Sequence, residues 1–310
     1  MSLFSTISGK TPLPFCFGAM QFGGKANAVE SRTMYDACRA AGIAFFDTAH
    51  VYTDGESERL LGRFAAQERD DLLIATKASY SGGASRAAIL DSVDQSRSRM
   101  SIDVIDLLYM HRWDPDTPLP ETFGTLAELQ QKGIIRRIGV SNYAAWQVMK
   151  AQAVAAEYDT RIDAIQPMYN LVKRQAEVEL LPMCAGEGIV PVPYSPLGGG
   201  LLTGKYAGGG AGRLTENAMY QKRYAQESMH QTAKDLAALA RDHGTSPATL
   251  AVAWVARHVA RPVPILSASK PDQLSPSLAA IRFEMDDALY DQISALSPTP
   301  PPATDRLEEA

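Results

Sequence analysis

A chain of 310 residues with a formal charge of −5 and a pI near 5.6 has no general attraction for phosphate backbones or anionic membranes, which sets aside nucleic-acid and membrane partners. Hydrophobic residues make up 45% and charged residues 21%, the balance of a globular protein, and no apolar run approaches the roughly 20 residues that cross a bilayer. The opening MSLFSTISGK lacks an export signal, so the expected location is cytoplasmic.

The length fits one large core, and residues 1–310 are read as a single domain. Short apolar, β-rich runs begin at Phe15–Met20, Ile43–Phe46, Leu72–Thr76 and Val104–Met110. They continue at Ile134–Val140, Ala164–Met168, Ile189–Tyr194 and Val263–Leu266. Continuous rather than alternating hydrophobicity is the mark of strands buried on both faces, and a spacing of about 30 residues is one βα unit. Amphipathic helices are expected between them at Ala28–Ala41, Ser57–Ala66, Ser85–Met100, Leu119–Gln131 and Ala144–Ala156, with Gly42 and Gly133 as stops.

Eight such units predict an α/β fold, a (β/α)8 TIM barrel. An open doubly wound sheet shares the alternation, but no G-x-G-x-x-G follows the first strand. Two departures from the rhythm stand out. Leu3–Pro14 carries a Ser-Gly-Lys turn that predicts an N-terminal β-hairpin plugging one end of the barrel. A gap of about seventy residues between strands 7 and 8, with the glycine-rich Ala207–Gly212, predicts a long functional loop or lid. Cys16, Cys38 and Cys184 are odd in number and widely spaced, so they are expected as small buried hydrophobes, and no metal site is expected.

In such a barrel the site is built at the C-terminal ends of the strands. Asp47, Tyr52, Lys77 and His111 fall at consecutive strand ends. Each has an ordinary role open to it: a cap, a packing ring, a solvated charge, a hydrogen-bonded imidazole. Together an acid, a phenol, an amine and an imidazole suit proton delivery to a carbonyl. A phenol with pKa near 10 is a weak acid, and an ammonium at Lys77 held by Asp47 is expected to favour its ionised form. A hydride must come from a cofactor, since no side chain donates one. A Schiff-base role for Lys77, as in a barrel aldolase, is the alternative chemistry.

The motifs FGAMQFGG (17–24), FFDTAHVYTDGESERLLG (45–62), IATK (74–77) and LLYMHRWD (107–114) are followed by IGVSNY (138–143), QPMYN (166–170), PYSPLGGGLLTGKY (193–206) and SASKPDQL (267–274). In this order the chain resembles the aldo-keto reductase superfamily, nicotinamide-dependent barrels, over nearly its whole length. The resemblance implies NAD(P)H-dependent reduction of aldehydes or ketones, or the reverse, with Tyr52 as general acid and base in a tetrad with Asp47, Lys77 and His111. It implies that Ser141, Asn142 and Gln166 hold the nicotinamide carboxamide, that Tyr194 stacks on its ring, and that Met20, Gln21 and Asp47 lie beside it. Ser195, Pro196, Leu197 and Gly199 would wrap the pyrophosphate, with Lys205 and Arg213 closing over it. Ser267, Ser269, Lys270, Gln273 and Ser277 would take the adenosine end, where the single cation Lys270 favours NADP and leaves NAD open.

A small carbonyl or alcohol substrate is expected against Tyr52 and His111, walled by Trp113 and His50, with Met20, Gln21, Tyr80 or Met168 beyond them. Some relatives in the superfamily act instead as cofactor-binding regulatory subunits of membrane channels, and an intact tetrad does not exclude that role.

Overall fold

The computed structural model describes residues 4–309. Eight parallel strands form one sheet: β1 (Cys16–Gly18), β2 (Phe45–Asp47), β3 (Leu73–Ala78), β4 (Leu107–Met110), β5 (Ile138–Ser141), β6 (Ala164–Gln166), β7 (Val190–Pro191) and β8 (Ile265–Leu266). Their order is β7-β6-β5-β4-β3-β2-β1-β8. The ring closes where Val263 N–H donates to the Pro191 carbonyl (2.8 Å) and Ile265 N–H to that of Pro193 (2.9 Å). Neither proline has an N–H to return, so the β7/β8 seam is a one-way ladder. The architecture is the predicted (β/α)8 barrel.

The strands are joined by α1 (Ala28–Ala40), α2 (Glu56–Ala65), α3 (Arg86–Met100), α4 (Leu119–Gln131), α5 (Ala145–Ala156) and α6 (Leu180–Glu187). Local signals set their ends. Asn27 and Glu30 form a reciprocal capping box at the start of α1, and Gly42 and Gly133 take left-handed φ values of 89° and 69° after α1 and α4. Cys16, Cys38 and Cys184 are buried as free thiols.

Two expectations need correction. The turn at residues 6–10 forms, with Thr6 N–H on the Lys10 carbonyl at 2.8 Å, but among the described residues no strand ladder accompanies it. Pro12 and Pro14 remove two of the donors a hairpin would need. The segment still closes the lower end: Phe4 packs against the interior cluster, and Arg136 Nη1 holds the Ser5 carbonyl.

The stretch between β7 and β8 is largely helical rather than a loop. It contains α7 (Arg213–Glu216), α8 (Ala218–Arg223), α9 (Glu227–Asp242) and α10 (Pro247–Arg257). The buried set of α9, Met229, Thr232, Ala233, Leu236 and Ala240, keeps helical spacing and was open to reading from sequence. Two short helices, α11 (Ser275–Ala279) and α12 (Asp287–Ser294), follow β8. Among the described residues no helix is long and apolar enough to cross a membrane.

Strand parity positions everything that follows. Cys16, Phe45, Leu73, Ala75, Leu107, Tyr109, Ala164, Val190, Val192, Val263 and Ile265 share the barrel interior, while Phe17, Phe46, Ile74, Leu108, Ile138, Val140, Ile165 and Leu266 face the helices. Successive strand residues alternate faces. Two residues beyond an interior position therefore lies another interior position, one layer nearer the upper mouth.

Candidate active site

That rule selects Asp47 after Phe45, Lys77 after Ala75, His111 after Tyr109 and Gln166 after Ala164, with Tyr194 after Val192 and Ser267 after Ile265. Ser141 follows Gly139, whose missing side chain leaves room for Tyr109, since a Cβ there would fall 2.4 Å from that ring. The upper layer of the barrel is thus polar because the next inward position of most strands is polar.

At its centre Lys77 Nζ donates to Asp47 Oδ2 (2.5 Å) and to the Thr48 carbonyl (2.7 Å). Gln166 Nε2 donates to Asp47 Oδ1 (2.9 Å). Both carboxylate oxygens accept, so the pair is ionised in the geometry observed. Burial works against the Lys77 ammonium, but the attraction of Asp47 and then Tyr52 outweighs it and lifts the amine above the ordinary lysine value. A Schiff-base role needs a free amine, and this nitrogen is buried and committed.

Tyr52 stands beyond β2 on a strained turn. Thr53 and Asp54 have φ of 47° and 52°, followed by Gly55 at 83°, and Thr53 Oγ1 pins the turn by donating to the Phe22 carbonyl at 2.8 Å. Left-handed backbone at a β-branched residue is costly and marks a turn held by its surroundings. The result puts Lys77 Nζ 4.9 Å from the Tyr52 ring centroid and the His111 ring edge-on to it at 5.9 Å and 82°. The expectation of a lowered Tyr52 pKa is corrected: burial raises it, Lys77 opposes, and the balance stays above the ordinary tyrosine value. Desolvation of a phenolate costs more here than one ammonium, itself shared with Asp47, returns.

His111 is 7% exposed, and its Nδ1 is buried without a protein partner. Burial first, then Lys77 and Arg112, push its pKa from 6.5 down to about 3. The ring is neutral at pH 7. An unfolded chain takes up this proton below pH 6.5 and the folded chain does not, so stability is lost as pH falls from 6.5 towards 3, at about 1.4 kcal/mol per unit within that window. Urea unfolding of His111→Asn between pH 7 and 4.5 is expected to show a shallower loss than the parent by that slope. Equal slopes would mean that His111 titrates normally.

The next three strand ends form one network. Asn142, at a left-handed φ of 58°, donates from Nδ2 to the His111 carbonyl (2.9 Å) and to Ser141 Oγ (3.0 Å). Ser141 Oγ donates to the Gln166 carbonyl (3.0 Å), and the Tyr194 hydroxyl to Asn142 Oδ1 (2.8 Å). Asn170, absent from the expected set, donates to the Ser195 carbonyl at 2.9 Å and ties the end of β6 to the loop after β7. There Ser195, Gly198, Gly199 and Gly200 all have positive φ, with Pro196 buried and Leu197 half-buried between them. Lys205 lies against Tyr206, and Arg213 Nη1 donates to the Tyr220 hydroxyl at 3.2 Å. At the β8 end, Ser267 Oγ is buried with no protein partner, Ser269 Oγ donates to Gln273 Oε1 at 3.0 Å, Ser277 is buried and Lys270 is exposed.

These residues fit a nicotinamide dinucleotide. An orphaned hydroxyl at Ser267, an orphaned ring nitrogen at His111 and a left-handed backbone turn at the β7 end are polar features that the protein alone leaves unused. Met20 and Gln21 follow β1, and Gln21 is buried. Trp113 sits edge-on to Tyr143 at 5.2 Å, and Tyr80 lies 4.8 Å from His111. His50 is drawn elsewhere: its Nε2 bonds Gln95 Oε1 of α3 at 3.1 Å, so substrate contact there would require that bond to give way. Sequence reading missed Tyr220, which packs on Gly199, because no motif marks an aromatic in the insertion.

Comparison with known proteins matches the description "Aldo/keto reductase family" over residues 14–298. A rice protein (Oryza sativa subsp. japonica) named "Probable voltage-gated potassium channel subunit beta" is 31% identical over 96% of this chain and 97% of its own length. Norsolorinic acid reductase B of Dothistroma septosporum is 30% identical over 92% and 78%. L-glyceraldehyde 3-phosphate reductase of Escherichia coli O157:H7 is 30% identical over 83% and 81%. With its parallel eight-stranded barrel, this chain belongs to the aldo/keto reductase family and is an NAD(P)-dependent oxidoreductase acting on carbonyl or alcohol groups.

Proposed function

We propose that the chain reduces aldehydes or ketones to alcohols, or runs the reverse, with Tyr52 as proton carrier and NADP(H) as preferred cofactor. The observation that carries this reading is Lys77 Nζ, fixed by Asp47 at 2.5 Å and 4.9 Å from the Tyr52 ring. A substrate oxygen between Tyr52 and His111 would take the Tyr52 proton. Lys77 stabilises the phenolate so formed, at a moment when burial alone would oppose it. Neutral His111 can donate one hydrogen bond to that oxygen without a second cation beside Lys77. Ser141, Asn142 and Gln166 would hold the carboxamide and Tyr194 the ring, and when bound the nicotinamide supplies the hydride.

The exposed Lys270 supports NADP over NAD, because a cation at the adenosine end pairs with the 2′-phosphate. Lys270→Ala is expected to raise the Kd for NADPH about tenfold or more and that for NADH much less, by the worth of one charge-assisted contact. Fluorescence titration with both cofactors checks this. Equal changes would remove Lys270 from phosphate recognition.

The rice relative's name raises a second reading, a regulatory subunit that binds cofactor and turns over slowly. A panel of carbonyls and alcohols run with both cofactors separates the two, since steady turnover on any member favours the enzyme.

A further inference from the structure

Outside the tetrad, three cations gather around two tyrosines. Tyr220 and Tyr224 stack at 6.4 Å and 22°. The guanidinium carbons of Arg213 and Arg223 lie 5.3 and 5.1 Å from the Tyr220 centroid, and Lys173 Nζ lies 5.8 Å from that of Tyr224. Among the described residues none of the three has a carboxylate within ion-pair distance, although nearby Lys25 reaches Glu216 at 2.7 Å. In a chain of net charge −5, cations gathered without a carboxylate call for an anion from outside, and with Arg213 given to the pyrophosphate, Arg223 and Lys173 remain.

The cluster stands over the ends of β6 and β7. The Tyr224 hydroxyl is 3.5 Å from Asn170 Nδ2 and 4.0 Å from Met168 Sδ, and the Tyr220 ring covers Gly199, where a Cβ would fall 2.7 Å away. Arg213 is held at the phosphate-loop side by the Tyr220 hydroxyl, which leaves half-buried Arg223, whose charge acts on Tyr194, and half-buried Lys173 beside the Tyr224 ring. Burial, then the neighbouring Arg223, holds Lys173 below the ordinary lysine range, as two cations sharing one space require. Burial raises Tyr194, with Arg223 opposing.

We propose that Arg223 and Lys173 bind an anionic group at the far end of the carbonyl substrate, a carboxylate or a phosphate, so that short aldehydes with a terminal anion are the preferred class. This rests on the carbonyl-reductase reading above. Arg213 lies at the loop read as wrapping the pyrophosphate and is left to the cofactor, whereas a substrate seated on Tyr52 would extend outward past Tyr194 towards Arg223, whose charge acts on that ring.

The test compares kcat/KM for succinic semialdehyde, glyceraldehyde 3-phosphate and uncharged butanal at one ionic strength. In parallel, calorimetry measures binding of succinate and inorganic phosphate to the protein saturated with NADP. Anionic aldehydes are expected to exceed butanal about tenfold or more, chiefly through KM. Arg223→Gln should cut that ratio by about tenfold and weaken succinate or phosphate binding in step, while Arg223→Lys keeps most of both. The aldehyde more affected identifies the anion. A wild-type ratio near unity would overturn the proposal, as would an Arg223→Gln effect confined to the Kd of NADPH, which would give these cations to the cofactor. If no aldehyde turns over but succinate or phosphate binding still depends on Arg223, the anion site stands and the reductase reading falls; loss of both observations overturns the site as well.

Discussion

Tyr52→Phe is expected to lower kcat for aldehyde reduction by about 10²–10⁴-fold, the contribution of a positioned proton donor, while the Kd for NADPH changes by less than about twofold. Phenylalanine keeps the ring area beneath Lys77 and removes the O–H together with its hydrogen bond to the ammonium. The hydrogen bonds of Asp47 to Lys77 and Gln166 do not involve Tyr52, so the site stays assembled and stability is nearly unchanged. Stopped-flow measurement of NADPH consumption, with cofactor quenching as the binding readout, separates the two effects. Turnover retained within about tenfold would give the proton to another group.

Lys77→Met is expected to be the most damaging single change to the fold at this site. It leaves Asp47, 3% exposed, with only Gln166 as a partner, and removing one member of a buried pair costs about 3–5 kcal/mol. Activity falls with it, because the phenolate loses its counter-charge. The destabilisation is expected to depend on pH with a definite sign. Without Lys77 the Asp47 carboxyl, already raised by burial, rises further in the folded state, so the folded variant binds more protons than the unfolded chain and loses stability as pH increases above about 4. Replacing both partners, Asp47→Leu with Lys77→Met, should recover most of the stability and none of the turnover, since an apolar pair carries no desolvation cost. Denaturant unfolding at pH 5 and pH 8 measures all three. A single-variant cost below about 1 kcal/mol would show that water reaches this pair.

Much of the fold was legible because it rests on local physics. Eight apolar runs bounded by capped helices and glycine stops were visible as sequence, and the observed strands fall within or against those runs. Asp47, Lys77 and His111 were marked by lying just past them. The helices between β7 and β8 are also written in the spacing of Met229, Leu236 and Ala240, but the glycine-rich Ala207–Gly212 carries the signal of a loop. The N-terminal turn was legible, whereas its missing ladder depends on Pro12 and Pro14 lacking donors.

What the sequence determined by itself is the repeating unit and the identity of the chemical groups, because helix and strand periods and strand-end positions are local. Only the tertiary structure decided which face each strand residue takes, since runs buried on both sides carry no alternation to read. Closure of the ring turned Asp47, Lys77, His111 and Gln166 inward, and burial then set the direction of the Tyr52 and His111 pKa shifts. The gathering of Arg223, Lys173 and Tyr220, which joins segments about fifty residues apart, follows from how the insertion folds back over the mouth, and no local pattern encodes a contact of that range.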